Sequence, residues 1–299
     1  MTPLRSDAVV DPIDGRAKAS RGGGAAVVRL RTAATTLTLQ LAVLALAVLL
    51  WWVATDVVPA PQSIAHAFSP EEALPALVSL VRDGTLVEDA ATSSARLAIG
   101  LGAAALIGIP LGLLVGGVRI FDRATGALFQ LLRMTSPLSW TPIAVIALGV
   151  GSRPVEALVA AAAIWPIALN TAAGVRAADP DWLLTARALG AARHELLRGV
   201  VLPAIRPHVL TGVRLALGVA WIVLVPAEML GVQSGLGYAV LNARDQLAYE
   251  DLMAVIVAIG ILGFALDALA QTLLRPRRRR RPASVALAAS PADAPMALV

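Results

Sequence analysis

The chain has 299 residues, of which 58% are hydrophobic and 15% charged, and it carries a net charge of +5 with a mean hydropathy of +0.75. Soluble domains run at roughly 45–50% apolar and 25% charged, so this composition excludes a water-soluble globular protein and makes lipid the solvent. With no cysteine in the chain, disulfide frameworks, thiolate metal sites and thiol nucleophiles are excluded as well.

Residues 1–36 mix charges, a Gly22-Gly23-Gly24 run and alanines without apolar periodicity, and read as a disordered tail. The first run able to cross a bilayer is Leu37 to Val58, too long and too late for a signal peptide, with Trp51 and Trp52 near one end as interfacial anchors. Between Pro59 and Ala95 the chain is too polar to span. There Leu74, Leu77, Val78 and Val81 have helical spacing, which predicts a short amphipathic helix along the bilayer surface. Five more runs follow: Leu97 to Val118, Ala127 to Gly149, Val155 to Val175, Val209 to Leu230 and Leu252 to Leu274. At about 20 residues per span, the expected fold is an all-α membrane domain of about six transmembrane helices over 37–275. Residues 276–299 read as a basic, disordered tail, whose Arg277 to Arg281 run suits anionic lipid rather than nucleic acid.

Several spans are more than apolar rods. In the second, Gly108, Gly112 and Gly116 recur every four residues on one face, a spacing that permits close helix packing. The third contains Ser136-Pro137-Leu138-Ser139-Trp140-Thr141-Pro142, and its two prolines remove amide donors and disfavour helix before them. Irregular backbone at membrane depth must be buried in protein or line a watery cavity, so Ser136, Ser139 and Trp140 are candidates for a translocation path. A proline kink held by neighbouring helices accounts for the pattern equally well. The fourth span has Trp165-Pro166 followed by Asn170 and Thr171, and the fifth has Pro226 and Glu228. Amide and ionisable side chains within a span need a cavity or a partner, which adds Asn170, Thr171 and Glu228 to the path candidates. Glu228 is expected near the outer helix end, and Arg133 and Arg214 near inner ends, within snorkelling reach of water.

Basic residues set the orientation. Arg5, Arg16, Lys18, Arg21, Arg29 and Arg31 precede the first span, Arg119 and Arg123 lie between the second and third, Arg176, Arg187, Arg193, Arg198 and Arg206 lie between the fourth and fifth, and Arg275 and Arg277 to Arg281 follow the sixth. Both termini are therefore expected in the cytoplasm, with the acidic stretch of Glu71, Glu72, Asp83, Glu88 and Asp89 outside. The segment 176–208 then becomes a cytoplasmic helical pair: one helix from Asp181, a turn at Gly190, a second helix carrying Leu196, Leu197 and Val200, and a stop at Pro203. A projecting pair of this kind suits docking to a soluble partner. The single lysine, Lys18, lacks a glycine-rich phosphate loop, and His66, His194 and His208 are too scattered for a metal centre. No enzyme chemistry and no cofactor are expected on this chain.

The stretch from Leu184 to Pro203 resembles the cytoplasmic signature of importer-type ABC permeases, E-A-A-x3-G-x9-I-x-L-P, at Ala186, Gly190, Val200, Leu202 and Pro203. Leu184 stands at the family's glutamate position and Thr185 at its first alanine, so the acidic start is missing. The resemblance implies a type I importer bundle in a prokaryotic plasma membrane, with Trp182 to Val201 as the coupling helix seated on an ATPase subunit. Trp182, Ala186, Gly190, Leu196, Leu197, Val200, Leu202 and Pro203 carry that expectation. The phrases Gly212-Val213-Arg214-Leu215-Ala216-Leu217-Gly218, Ala227-Glu228-Met229-Leu230 and Ser234-Gly235-Leu236-Gly237-Tyr238 are similar to the nitrate/taurine/alkanesulfonate group, and Ser136 to Trp140 with Trp165 to Thr171 to its nitrate branch. This implies an oxyanion as solute, with taurine, another sulfonate or a pyrimidine-like compound as alternatives. The implied partners are two ATP-binding subunits carrying ATP and Mg, a second copy of the permease, and an extracytoplasmic solute-binding protein near Gly231 to Asp251. Two other classes make different demands: an ion-coupled transporter needs paired intramembrane acids, for which Glu228 and Asp267 are the candidates, and a membrane enzyme acting on lipid-linked substrates needs a cluster of acid, base and nucleophile near one interface that the sequence does not offer.

Overall fold

In lipid every backbone amide must be satisfied within its own segment, and the described residues form helices joined by short turns, with no strand among them. The structure, a computed structural model, describes residues 21–60 and 63–274. The expectations for residues 1–20 and for the basic tail 276–299 lie outside them. By backbone contacts the chain forms two compact units, Met1–Pro75 and Ala76–Val299.

In the first unit, helix α1 spans Arg21–Trp52 and runs on through a π turn, Val53–Val57. It takes in residues 21–36, which composition assigns to a tail; the alanines, Leu30 and the arginines there favour helix, whereas Gly22 to Gly24 do not. Leu39, Leu41, Val43 and Leu44 are each more than half exposed, as a lipid-facing helix requires. Both tryptophans at its end are tied down: Trp51 Nε1 donates to Phe68 O at 2.9 Å and Trp52 Nε1 to Glu71 Oε1 at 3.1 Å.

Helix α2, Pro70–Arg82, is the expected amphipathic segment. Its apolar face is only partly covered: Leu77 and Leu80 pack on Leu86, Leu236 and Val255, while Leu74, Val78 and Val81 stay about half exposed.

The centre of the second unit is a three-helix stack of α3 (Thr85–Gly117), α6 (Ser152–Arg176) and α9 (Leu202–Gly231). Leu97 and Ala104 from α3, Val155, Val159, Ala163 and Ile167 from α6, and Ala216, Ala220 and Leu224 from α9 form one buried core. The glycine face is the α3–α6 contact. A Cβ on Gly112 would lie 2.5 Å from Ala168 O and 2.6 Å from the Thr171 Cβ, and one on Gly116 would lie 2.7 Å from the Val175 Cβ. Helix α3 starts at Thr85 rather than Leu97. The charges that mark its first turns as loop in the sequence have tertiary partners, described below.

The third apolar run is no rod. Helix α4 (Arg119–Met134), a 3-10 turn (Pro137–Trp140) and helix α5 (Thr141–Leu148) follow one another with a bend of 86°. Five described helices are thus long and apolar enough to cross a membrane, or six if the bent pair counts as one span.

Pro203 does not stop a helix. Helix α8 (Arg193–Leu196), a π turn (Leu197–Val201) and α9 form one run in which His194–Gly231 covers 38 residues. In the π turn Leu202 N–H reaches back to Leu197 O, a wider register that lets the chain pass a proline lacking its own N–H. Two helices complete the unit, α10 (Leu236–Asp245) and α11 (Tyr249–Leu273).

Candidate functional site

Three places in the second unit carry chemistry: a hairpin between α6 and α9, the break between α4 and α5, and a buried ionic network at the far end of α9.

The hairpin is built by local rules. Asp179 caps α7 (Pro180–Ala188), accepting from Asp181 N at 2.9 Å, with Pro180 at the first helical position where its missing donor costs nothing. The helix closes in a Schellman motif: Gly190 N–H donates to Arg187 O at 2.9 Å and Ala191 N–H to Ala186 O at 3.1 Å. Gly190 sits at φ +83°, with open space where a side chain would be, so glycine serves backbone conformation there and not packing. Beyond the turn, Glu195 Oε2 accepts from Ala192 N at 2.8 Å, the reaching-back half of a capping box. Of the expected coupling residues, Leu196 is buried, Ala186 and Val200 are half-buried, and Trp182, Leu197, Leu202 and Pro203 are exposed. Trp182, Leu184 and Leu189, at 61%, 60% and 83% exposure, are the large apolar side chains that α7 and its closing turn leave uncovered.

At the break, Ser136, Ser139 and Trp140 are all exposed, while Leu138 packs against the core and Thr141, buried, returns its hydroxyl to Leu138 O at 2.6 Å. The other expected path residues lie elsewhere. Thr171 is wholly buried under Gly112 and donates to Ile167 O at 2.8 Å. Asn170 Nδ2 donates to Pro166 O at 2.8 Å, and its Cβ stands 2.9 Å from where a Cβ on Gly212 would be, at the α6–α9 crossing.

Glu228 is likewise closed to solvent, at 0% exposure. Its carboxylate accepts from Arg96 Nη1 at 2.8 Å, from the Ser93 hydroxyl at 2.8 and 2.9 Å to its two oxygens, and from Gly237 N at 2.9 Å. Arg96, 4% exposed, also donates to Ser152 Oγ at 3.0 Å, Ser234 O at 2.8 Å and Ser234 Oγ at 2.7 Å. Asp89 accepts from Gly235 N at 2.7 Å and Ser93 Oγ from Leu236 N at 2.9 Å. Gly235, at φ +95°, has no room for a side chain, because a Cβ would fall 2.6 Å from Glu228 Oε1. The network ties α3, the start of α6, the end of α9 and the segment before α10 into one satisfied polar knot. Sequence reading finds Glu228 without its partners. The available signal is that Arg96 and Glu228 are opposite charges at the edges of apolar runs, and such residues pair.

The second intramembrane acid is also paired: Asp267 accepts from Arg214 Nε at 3.5 Å and from Gln271 Nε2 at 2.6 Å, both members of the ion pair being about half exposed. Arg214 lies well inside α9 rather than at a helix end. Among the described residues no group of three metal-ligating side chains occurs.

Residues 108–280 match the family described as binding-protein-dependent transport system inner membrane component. The chain belongs to this family. The matched part of this inner-membrane component contains the break, the hairpin and Glu228, whereas Ser93 and Arg96 precede it. Among curated proteins, the chain is similar to a bicarbonate transport system permease protein of Synechococcus elongatus (38% identical over 58% of this chain and 63% of that protein). It is also similar to a nitrate import permease protein of Synechocystis (33% identical over 58% and 64%) and to the taurine transport system permease protein of Escherichia coli (33% identical over 77% and 85%). The first two matches thus span less than two thirds of those permeases. Among solved structures the fold is similar to the MetNI methionine ABC transporter in inward-facing conformations, with a TM-score of 0.53 at 18% identity over 64% of this chain and 95% of that one.

Proposed function

We propose that this chain is the membrane-spanning permease subunit of an ATP-driven importer and that it conducts a small oxyanion. The observation that carries the reading is the hairpin 179–201: a capped helix and a Schellman turn leave the large apolar side chains Trp182, Leu184 and Leu189 exposed on an otherwise charged segment that is continuous with a helix of the bundle core. Such a segment fits a groove on a soluble motor. ATP binding on that motor then favours one arrangement of rigid helices over another, and the solute path follows. Relatives whose names specify bicarbonate, nitrate and taurine support an oxyanion or sulfonate. Two ATP-binding subunits, a second copy of this chain and an external binding protein near Gly231 to Asp251 complete the assembly, with both termini on the motor side. An ion-coupled mechanism is disfavoured because both candidate acids, Glu228 and Asp267, already hold arginines.

The test is co-reconstitution with the ATP-binding subunit. ATP hydrolysis stimulated by the binding protein, together with ATP-dependent uptake, is the expected result. Gly190→Leu should abolish the stimulation by straining the φ +83° turn, at a local cost of about 1–2 kcal/mol, while the bundle stays folded. Solute uptake by the chain alone, driven by an ion gradient without ATP, would sink the reading.

A further inference from the structure

The polar face of α4 has no role in the assembly described so far. At 100° per residue the helix divides into three stripes. Phe121, Thr125 and Phe129 are half-buried, Phe129 against Trp165 of α6; Ile120, Leu128, Leu131 and Met134 form an apolar stripe, each more than half exposed; Arg119, Arg123, Gln130 and Arg133 form a third, polar and exposed. Lipid can cover the second stripe. The third needs water or a polar partner, because a bare guanidinium in hydrocarbon costs several kcal/mol.

Its depth follows from two contacts with α6. Asp122 pairs with Arg176, the last residue of that helix, at 2.7 Å. The Phe129 ring packs on the Trp165 ring, centroids 5.6 Å apart, and Trp165 is near the midpoint of α6. Helix α4 therefore climbs from the end of α6 to its middle, and Arg133, one turn beyond Phe129, stands at mid-depth beside the break. Its one hydrogen bond is to Gln130 Oε1 at 2.9 Å, and no carboxylate among the described residues neutralises it.

Two hydroxyls of the break that follows it in the chain are also uncommitted. Thr125, Thr135, Thr141, Thr171 and Thr211 each return their hydroxyl to a backbone carbonyl three or four residues back. Ser136 and Ser139 are exposed and make no side-chain hydrogen bond among the described residues.

We propose that Arg133, with the hydroxyls of Ser136 and Ser139, forms a mid-depth contact site for a small monovalent oxyanion, and that Arg119 and Arg123 continue the cationic face toward the Arg176 end of the path. The proposal rests on the transport reading above and gives its oxyanion a place on this chain. A guanidinium presents planar donors that match a carboxylate-like or nitrate-like edge, and two neutral hydroxyls add short-lived bonds without trapping the solute.

The absence of native cysteine makes the test direct. Ser136→Cys and Ser139→Cys, each in the full chain, are labelled in right-side-out and inside-out membrane vesicles with membrane-impermeant methanethiosulfonate reagents, one anionic and one cationic. A site in a watery, cationic path reacts from at least one side and prefers the anionic reagent. Adding Arg133→Gln should lower the ratio of anionic to cationic rates about tenfold, and Arg133→Lys should preserve it. No reaction from either side, which is the result if lipid or a second copy of the chain covers the face, overturns the proposal. So does an anionic preference unchanged by Arg133→Gln. ATP-dependent uptake in the same vesicles reports separately on the transport reading, so the two failures are distinguishable.

Discussion

Glu228 shows how far one residue can be read without its neighbours. Its sequence position marks a carboxylate near the end of an apolar run and leaves open whether it serves a path or a partner. The structure answers with a partner 132 positions away, at 2.8 Å and with side-chain exposures of 5% for Arg96 and 0% for Glu228. No helical periodicity links such positions, which is why Arg96, Ser93 and Ser234 escape sequence reasoning. A buried ion pair is costly to break on one side only, since the survivor keeps its desolvation penalty without its counter-charge. Arg96→Leu or Glu228→Leu alone is expected to destabilise the second unit by about 3–5 kcal/mol, and the double variant by less than the sum. Thermal unfolding in detergent checks this, and additive losses would show that the pair does not act as a unit.

At the scale of elements, the patterns that depend on near neighbours in the chain are legible. Gly108, Gly112 and Gly116 read as a packing face and are one; Ser136 to Pro142 reads as a break and bends by 86°. Boundaries are less legible, because a charge at the edge of a run looks like loop until its partner is known, and so α3 starts at Thr85. Pro203 reads as a stop because the rule concerns the α register, and a π turn shifts that register before the proline arrives. One helix supplies its own control for the packing claim. Gly112→Ala puts a methyl 2.5 Å from Ala168 O and should cost about 1–3 kcal/mol as α3 and α6 move apart. Gly102 has nothing within 4 Å of the equivalent position, and Gly102→Ala should be neutral or stabilise by up to about 1 kcal/mol through helix propensity alone. Melting temperatures of the two variants should shift in opposite directions or by clearly different amounts.

For the whole molecule, composition reveals the class and the basic residues suggest an orientation, but the continuity of the run from the hairpin to the ionic knot appears only in three dimensions. The 38 residues of His194–Gly231 make a rod of about 57 Å. A tilt of 5° applied at its hairpin end sweeps the Glu228 end sideways by about 5 Å. In the proposed assembly, paired spin labels on two copies of the chain, at Leu189 and at Gln246, should therefore change separation together when the motor is trapped with nucleotide. Movement at Leu189 without movement at Gln246 would place a joint in the rod, at the π turn Leu197–Val201 or at Pro207.

The same rod has an implication for how the two faces of the membrane communicate. Because Glu228 is riveted through Arg96 and Ser93 to α3 and through Gly237 to α10, the far tip of the rod cannot swing by itself. If the rod has no joint, a tug on the hairpin drags a whole corner at its other end, like a boom bolted to its sail. On the proposed transport reading, traffic in the other direction is equally direct: a protein settling on that corner would lean on the motor, so that arrival of cargo and fuel consumption become a single mechanical event.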